Sequence, residues 1–204
     1  NQKDIPGSVK FLRDSLDALV NGSCPMEDLV ITKSLRANYK NPLSIAHKVL
    51  ADRIAERDPG NKPQVNDRIP YVYVQMPNPK QKVLQGERIE HPDFVLKNKI
   101  KIDYNFYLTN QIMKPVNQVF GIIVEQLKEN KNTPQHYKEL WTIISNEERI
   151  KGNTKKIKEK YMIAREKEAQ EILFDPYIKT QEFLLTKNHT MLAYFTASRP
   201  KTSK

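Results

Sequence analysis

Asp103–Leu127 reads DYNFYLTNQIMKPVNQVFGIIVEQL, and the class of fold turns on this stretch. Tyr104, Leu108, Ile112, Val116, Val119, Phe120, Ile123 and Leu127 recur every three or four residues, a spacing that gathers apolar side chains on one helical face. Asp103 stands just ahead, with a carboxylate able to accept from the helix's first free N–H groups. Pro115 lacks a backbone donor and crowds the preceding turn, which predicts a kink or break near Ile112–Lys114. The opposite face carries Asn105, Thr109, Asn110, Lys114 and Asn117, all donors a polyanion could use. On the period alone, the plainer reading is a core helix with a solvated back.

Working towards the N-terminus, Lys97, Lys99 and Lys101 alternate with Asn98 and Ile100. On extended backbone they would project to one side as a basic stripe. Gln64–Val74, QVNDRIPYVYV, reads as a turn feeding a strand, and Pro70 inside it suggests an edge or a bulge. Asp58-Pro59-Gly60-Asn61 breaks a helix that Leu43, Ala46, Leu50 and Ile54 define. His47 borders that helix's apolar face, where a hydrogen-bonded core histidine is the ordinary occupant. Leu29-Val30-Ile31-Thr32 reads as a strand or a buried extended segment and runs into Lys33, Ser34 and Arg36, with Tyr39 and Lys40 just beyond. Two cations, a hydroxyl and an aromatic ring close together suit a nucleic-acid backbone, although a polar loop would read the same way. Ser8, Val9, Leu12, Leu16, Leu19 and Gly22 predict a short amphipathic helix with Ser8 as its N-cap and Gly22 as its stop.

Towards the C-terminus, Lys128–Asn132 is a polar linker, and His136–Ile144, with Trp141, predicts a small packed helix. Lys151–Ile172 alternates acid and base around Tyr161, Ile163, Ala164 and Ile172, the pattern of a solvated helix with i,i+4 pairs. Asp175-Pro176 ends it. The fold expected is mainly α with a small β element (α+β), with strands near Leu29–Lys33, Tyr71–Gln75 and Val83–Arg88.

The 204 residues allow one or two domains with a true core. A formal net charge of +10 favours a polyanionic partner, nucleic acid ahead of an anionic membrane surface. No run of eighteen apolar residues exists, so no spanning helix is expected. The opening Asn1, without a signal-peptide pattern, gives the expectation of a piece of something larger. One cysteine, Cys24, excludes an intrachain disulfide and a multi-cysteine zinc site. His47, His91, His136 and His189 lack metal-ligand spacing. No Gly-rich phosphate loop, Gly-x-Ser-x-Gly or His-Glu-x-x-His occurs, and no carboxylates form a catalytic motif.

LVITKSL, then AHKVLADRIAERDPGNKPQVNDRIPYVYV, then HPDFVLKNKIKIDYNFYLTNQIMKPVNQVF together resemble the thumb of a B-family DNA polymerase of the delta type, found in eukaryotes and their large DNA viruses. The resemblance covers roughly Asp28 to Phe120. Its specific parts are RDPG followed by DRIPYV, and the acidic residue followed by Tyr-Leu and a later Pro-Val. It implies a largely helical wall that closes over the new duplex and holds primer and template by the sugar-phosphate backbone and minor groove. By position, Lys33, Ser34 and Arg36 match the basic patch after the thumb strand. Asp67 and Arg68 match the turn before the tyrosine-bearing strand. His47 matches the histidine of a helix reading His-Val-x-Leu-Ala, although Lys48 and Val49 depart from that pattern. Asn66 stands where the family has glycine, and asparagine tolerates positive φ better than most residues. The DNA-binding set expected is therefore Lys33, Ser34, Arg36, Tyr39, Lys40, Asp67, Arg68, Lys97, Lys99 and Lys114.

The family's catalytic carboxylates lie in palm motifs reading Asp-x-x-Ser-Leu-Tyr-Pro and Tyr-Gly-Asp-Thr-Asp-Ser, and neither occurs here. The resemblance thus implies part of a DNA-directed DNA polymerase, a nucleotidyltransferase, whose Mg2+ ions sit in a palm outside this chain. The family's cysteine clusters after the thumb cannot be built either, which points to a divergent, viral branch. Asn188, Met191, Tyr194 and Phe195 resemble a sliding-clamp binding box, one helical turn that would enter a clamp pocket, with Asn188 in place of the usual glutamine. Arg199, Lys201 and Lys204 add a basic flank. The division expected is a thumb over 1–127, a helical extension over 128–187 and a tail over 188–204. The partners implied are primer-template DNA, the palm, fingers and exonuclease of the same enzyme, and a sliding clamp, with no membrane. The place of action implied is the nucleus or, for a viral parent, the host nucleus or a cytoplasmic replication factory. A stand-alone nucleic-acid adaptor and a protein-binding scaffold are the competing readings.

Overall fold

The computed structural model describes residues 4–76 and 83–180. They divide into two units, one formed by residues 21–107 and the other by residues 4–20 with 108–180. Helices predominate and three short strands form a single antiparallel sheet, so the α+β class is as the sequence predicts.

The unit of residues 21–107 holds α2 (Met26–Leu29), β1 (Ile31–Ser34), α3 (Ala46–Arg57), β2 (Arg68–Tyr73), β3 (Ile89–Glu90), α4 (Pro92–Asn98) and α5 (Tyr104–Phe106). The sheet order is β1-β2-β3, so the strand carrying Pro70 is central. Its missing N–H is tolerated for a geometric reason. Val74 N–H donates to the Arg88 carbonyl (2.8 Å), and Val72 lies opposite Glu90. By alternation, Pro70 faces the same side as Val72 and Val74, beyond the end of β3. The strand expected over Val83–Arg88 is instead a 3-10 turn over Gln85–Arg88, with pairing confined to Ile89–Glu90. Gly86 explains this: a Cβ there would lie 2.7 Å from Val49 Cβ, so the chain is pressed against α3 rather than into the sheet. Leu43, expected on the α3 face, lies in a 3-10 turn over Pro42–Ser44 and is exposed. α3 ends at Arg57, and Pro59–Asn61 forms the break that Asp58-Pro59-Gly60-Asn61 predicts.

β1 is too short to pair with the whole of β2, and Tyr107 completes the ladder. Its hydroxyl accepts from Tyr73 N–H (3.0 Å) and donates to the Leu29 carbonyl (2.8 Å). Tyr73 stacks on Phe106 with centroids 4.0 Å apart and meets Tyr71 and Tyr107 edge-on. Burial pushes the Tyr107 hydroxyl up to about 12, so it remains a donor throughout the neutral range.

In the other unit, α1 (Ile5–Val20) buries Val9, Leu12, Leu16 and Leu19 as the spacing predicts. Its first turn is capped by Asp4, whose Oδ1 accepts from Gly7 N–H (2.8 Å), rather than by Ser8, whose hydroxyl donates to the Asp4 carbonyl. Gly22, at φ 69°, follows its end. At the end of the unit of residues 21–107, Asp103 caps α5 by accepting from Phe106 N–H (2.9 Å). A π-helical segment over Tyr107–Ile112 then precedes α6 (Met113–Gly121). This is the expected interruption ahead of Pro115. The wider turn changes the helical phase, so Val119 is 61% exposed while Asn117, placed on the polar face by the simple period, is 5% exposed. The helix also stops at Gly121 rather than reaching Leu127, which follows a 3-10 turn over Val124–Gln126.

α7 (Pro134–Ile150) and α8 (Lys156–Leu173) pack against each other, and α8 lies along α6. Gly121 permits the close approach, since a Cβ there would stand 3.1 Å from Glu166 Cγ and 3.2 Å from its backbone nitrogen. α8 is not the solvated helix its composition suggests. Arg165 is buried and donates to the carbonyls of Gly121 and Ile122 (2.8 Å each) and to Glu125, while its guanidinium lies over the Tyr137 ring. It satisfies acceptors left at the end of α6. Ile163, expected to anchor the helix, is 55% exposed.

Tyr107→Phe keeps the ring but leaves a buried amide and a buried carbonyl unpaired. Urea denaturation should show a destabilisation of about 2 kcal/mol. In the parent, deprotonation of Tyr107 should erode stability only as pH rises from about 10 towards 12, because the folded value lies above the ordinary one.

Candidate nucleic-acid interface

The basic cluster is assembled by the pairing of β1 with β2. Ser34 stands opposite Arg68 and Lys33 opposite Ile69. The sheet is closed at this end by Asn66 and Asp67 facing one residue, Leu35. Leu35 N–H donates to the Asp67 carbonyl and Asn66 N–H to the Leu35 carbonyl (both 2.8 Å). Asn66 adopts φ 75°, a conformation that asparagine tolerates better than most residues other than glycine. Cross-strand neighbours share a face, so Ser34 and Arg68 lie together while Lys33 points to the other side. The exposed cations Lys33, Arg36 and Arg68 thus wrap the end of the sheet.

Tyr39 and His47 fix the loop that carries Arg36. The Tyr39 hydroxyl accepts from Arg36 N–H (2.7 Å) and lies 3.0 Å from His47 Nε2. His47 also bonds the Ser34 backbone. With Nδ1 carrying the ring proton, Nε2 accepts from the Tyr39 O–H. Burial, with the nearby charges of Lys33 and Arg36, pushes the His47 ring down, so it is neutral at pH 7 as this arrangement requires. His47 is therefore the hydrogen-bonded histidine the sequence suggests. Tyr39, expected to meet a ligand, has its hydroxyl committed to shaping the loop. Lys40 is exposed nearby in sequence.

Arg68 continues into a groove of about 660 Å³ whose lining includes Arg57, Lys97, Phe94, Asp58, Asp67 and Asp93. Asp67 serves its own turn, accepting from Gln64 N–H at 2.7 Å. Lys97, Lys99 and Lys101 do not form the extended stripe that their alternation predicts. Lys97 is helical within α4, Lys99 closes that helix at φ 52°, and the Lys101 carbonyl accepts from Gln75 N–H. Of the three, Lys97 reaches the groove. Lys114 belongs to the other unit, where it lines a groove between α6 and α8 with Thr109 and Glu166. Asn188, Met191, Tyr194 and Phe195 lie outside the described residues.

Arg57 is the groove residue that sequence reasoning missed. Its guanidinium sits 3.8 Å above the Phe94 ring and donates to Glu90 at 2.8 Å. Glu90 is buried and also receives Arg53 (3.1 Å) and His91 N–H (2.9 Å). Burial pushes the Glu90 carboxyl up, but the Arg57 hydrogen bond, the His91 amide and the two guanidinium charges outweigh it, and the net shift is down. The only hint in sequence was position: Arg57 opens the RDPG run.

A family model described as DNA polymerase family B matches residues 1–123. Over 97% of this chain and 16% of the relative, the sequence is 40% identical to a DNA polymerase of Pyramimonas orientalis virus. It is 48% identical to a DNA polymerase of Acanthamoeba polyphaga mimivirus over 60% of this chain and 7% of that protein. It is 37% identical to a DNA polymerase delta catalytic subunit of Glycine max over 60% of this chain and 11% of that protein. The chain thus spans about a sixth or less of the length of these relatives.

Tyr39→Phe leaves the net charge untouched and removes the acceptor for Arg36 N–H. Amide exchange at Arg36 should accelerate about tenfold, the equivalent of one hydrogen bond, as followed by NMR. Glu90→Gln should cost about 2 kcal/mol at pH 6, since it removes charge-assisted hydrogen bonds from a buried carboxylate whose two guanidinium partners are themselves partly exposed. The parent's Glu90 contribution is present above about pH 4.5, its ordinary value, and is lost as pH falls through the depressed folded value. The variant's denaturation curves at pH 6 and pH 3 should differ less than the parent's.

Proposed function

This chain belongs to DNA polymerase family B, and on that premise we propose that it supplies the thumb and C-terminal region that hold duplex DNA in a replicative DNA polymerase. Residues 1–127 are the thumb in this reading and residues 128–187 a helical extension. The observation that carries it is the clustering of Lys33, Arg36 and Arg68 at the end of the β1–β2 ladder, exposed and tied to a loop fixed by Tyr39 and His47. Lys97 extends the cluster along the groove. Side chains of this kind can neutralise phosphates whatever the sequence, as suits an enzyme that must pass over every sequence. Ser34 offers a hydroxyl to the same backbone.

The chemistry of nucleotide addition lies elsewhere in this reading. Among the described residues, no three His, Cys, Asp or Glu side chains converge to hold a metal ion. The carboxylates that bind Mg2+ would come from a palm outside this chain. The partners are primer-template DNA and the other domains of the polymerase. The tail box Asn188, Met191, Tyr194 and Phe195 is assigned to a sliding clamp. The setting is the nucleus or, for a viral parent, the host nucleus or a cytoplasmic replication factory.

The test is the salt dependence of duplex binding by the 204-residue chain. The combined change Lys33→Ala, Arg36→Ala, Arg68→Ala and Lys97→Ala should weaken binding at every salt concentration. It should also flatten the slope of log K against log salt by about 0.9 for each phosphate no longer neutralised. Binding that matched the parent at all salt concentrations would rule the reading out.

A further inference from the structure

The turn joining α7 to α8 carries a concentration of positive charge that the thumb does not use. Residues 149–160 hold Arg149, Lys151, Lys155, Lys156, Lys158 and Lys160 against one acid, Glu159, a net of 6 − 1 = +5 out of the chain's +10. The match to the polymerase family model ends at residue 123, so this surface lies beyond it. It does lie within the span shared with the Pyramimonas orientalis virus polymerase.

Two of these cations have a structural task. Glu148 is buried, and it pairs with Lys160 from α8 and, at 4.0 Å, with Lys151 from the turn. The Lys160 hydrogen bond holds the Glu148 carboxyl below its usual range, so the staple persists at neutral pH. Asn153 N–H adds a 2.7 Å bond to the Glu148 carbonyl. The end of α7 and the start of α8 are thereby locked into one rigid corner.

The other four cations, Arg149, Lys155, Lys156 and Lys158, are exposed, and none has an ion-pair partner among the described residues. Three of them crowd the start of α8, where the helix dipole disfavours positive charge. Lys155 holds the N-cap position and makes no side-chain cap. Gly152, at φ 69°, has no atom within 4 Å of the place its Cβ would occupy, so the corner is open to an approaching ligand. Lys155, Lys156 and Lys158, carried on a fixed backbone at the unfavourable end of α8 and without an ion-pair partner within 4 Å among the described residues, are a local conflict that bound negative charge would relieve.

We propose that the α7–α8 corner is a second nucleic-acid contact, taking the phosphate backbone through Arg149, Lys155, Lys156 and Lys158. A contact confined to phosphates carries no sequence information, so binding through these four cations should not depend on base sequence. The inference extends the duplex-holding reading, and its surface is separate from Lys33, Arg36, Arg68 and Lys97.

The test compares three variants of the 204-residue chain: the corner set Arg149→Ala, Lys155→Ala, Lys156→Ala and Lys158→Ala, the thumb set described above, and both together. Each is titrated with a 40-base-pair duplex across salt concentrations and, separately, with phosphatidylserine vesicles. Circular dichroism checks that each variant keeps the parent's helical content. If the corner is a contact, its set alone lowers the log K against log salt slope by about 0.9 for each phosphate released, and the combined set lowers it further. A corner set with the parent's slope, beside a thumb set that loses slope, overturns this inference and leaves the thumb reading standing. The reverse pattern upholds the corner and removes the thumb. Weaker affinity for vesicles with unchanged DNA binding would assign the corner to a membrane surface and overturn the inference. If the corner set unfolds, reversing Lys155 and Lys158 alone to Glu applies the same criterion with α8's remaining packing intact.

Discussion

The three-stranded sheet depends on a hydroxyl that belongs to no strand. Tyr107 bridges the Leu29 carbonyl and the Tyr73 amide, filling a rung where β1 has already ended. A sheet this small cannot hold its register by backbone pairing alone. The phenol extends the ladder and places its ring against Tyr73, beside Phe106. Register matters here because Ser34 and Arg68 meet only if Ile31 stays opposite Tyr71. A slip of one residue would turn Arg68 towards the face that buries Ile69. The placement of the cations is thus set by a tyrosine dozens of residues further along the chain.

Much of this was legible in the sequence because the signals were local. The Asp103 cap, the break at Asp58-Pro59-Gly60-Asn61 and the interruption before Pro115 each follow from the chemistry of one or two residues, and the family resemblance pointed to positive φ at Asn66. The readings that failed are those in which a distant contact outweighs a local pattern. Val83–Arg88 has strand-like apolar residues, but Gly86 is held against Val49 and its carbonyl accepts from Arg53. The alternation at Lys97, Lys99 and Lys101 is real in the sequence, yet Pro92 and the His91 cap start a helix that absorbs the first of them. In α6 the period was correctly identified, but its phase shifted across the π-helical segment, and Asn117 became buried where Val119 was expected.

α8 shows why composition alone misleads. A Lys/Glu-rich helix reads as solvated because burying a charge is costly. Arg165 escapes that objection. Its guanidinium meets the carbonyls of Gly121 and Ile122, the Glu125 carboxylate and the Tyr161 hydroxyl, so its donors are satisfied on removal from water. The two carbonyls come from the end of α6, where they lack helical donors of their own. Apart from Tyr161, nothing within residues 151–172 announces this, since the Gly121 and Ile122 carbonyls are backbone atoms more than forty positions upstream. The small residue that permits the approach, Gly121, was visible only as one of six scattered glycines.

The two cationic surfaces are built alike. In one, a neutral imidazole and a phenol fix the loop bearing Arg36. In the other, a buried carboxylate fixes the corner bearing Lys155 and Lys158. In both, the group that shapes the backbone is withdrawn from solvent, while the charges it positions stay exposed and, among the described residues, have no ion-pair partner. A single exposed charge pair is worth about 1 kcal/mol at 4 Å in water and is weakened further by salt. No one lysine or arginine can therefore hold a polyanion, and affinity has to come from their number and from arriving already in place. Rigid scaffolding lowers the ordering cost of each contact without making any of them strong. Many weak, pre-placed contacts can be broken and remade one at a time, which is the property a surface needs if it is to keep hold of a phosphate backbone while that backbone moves past.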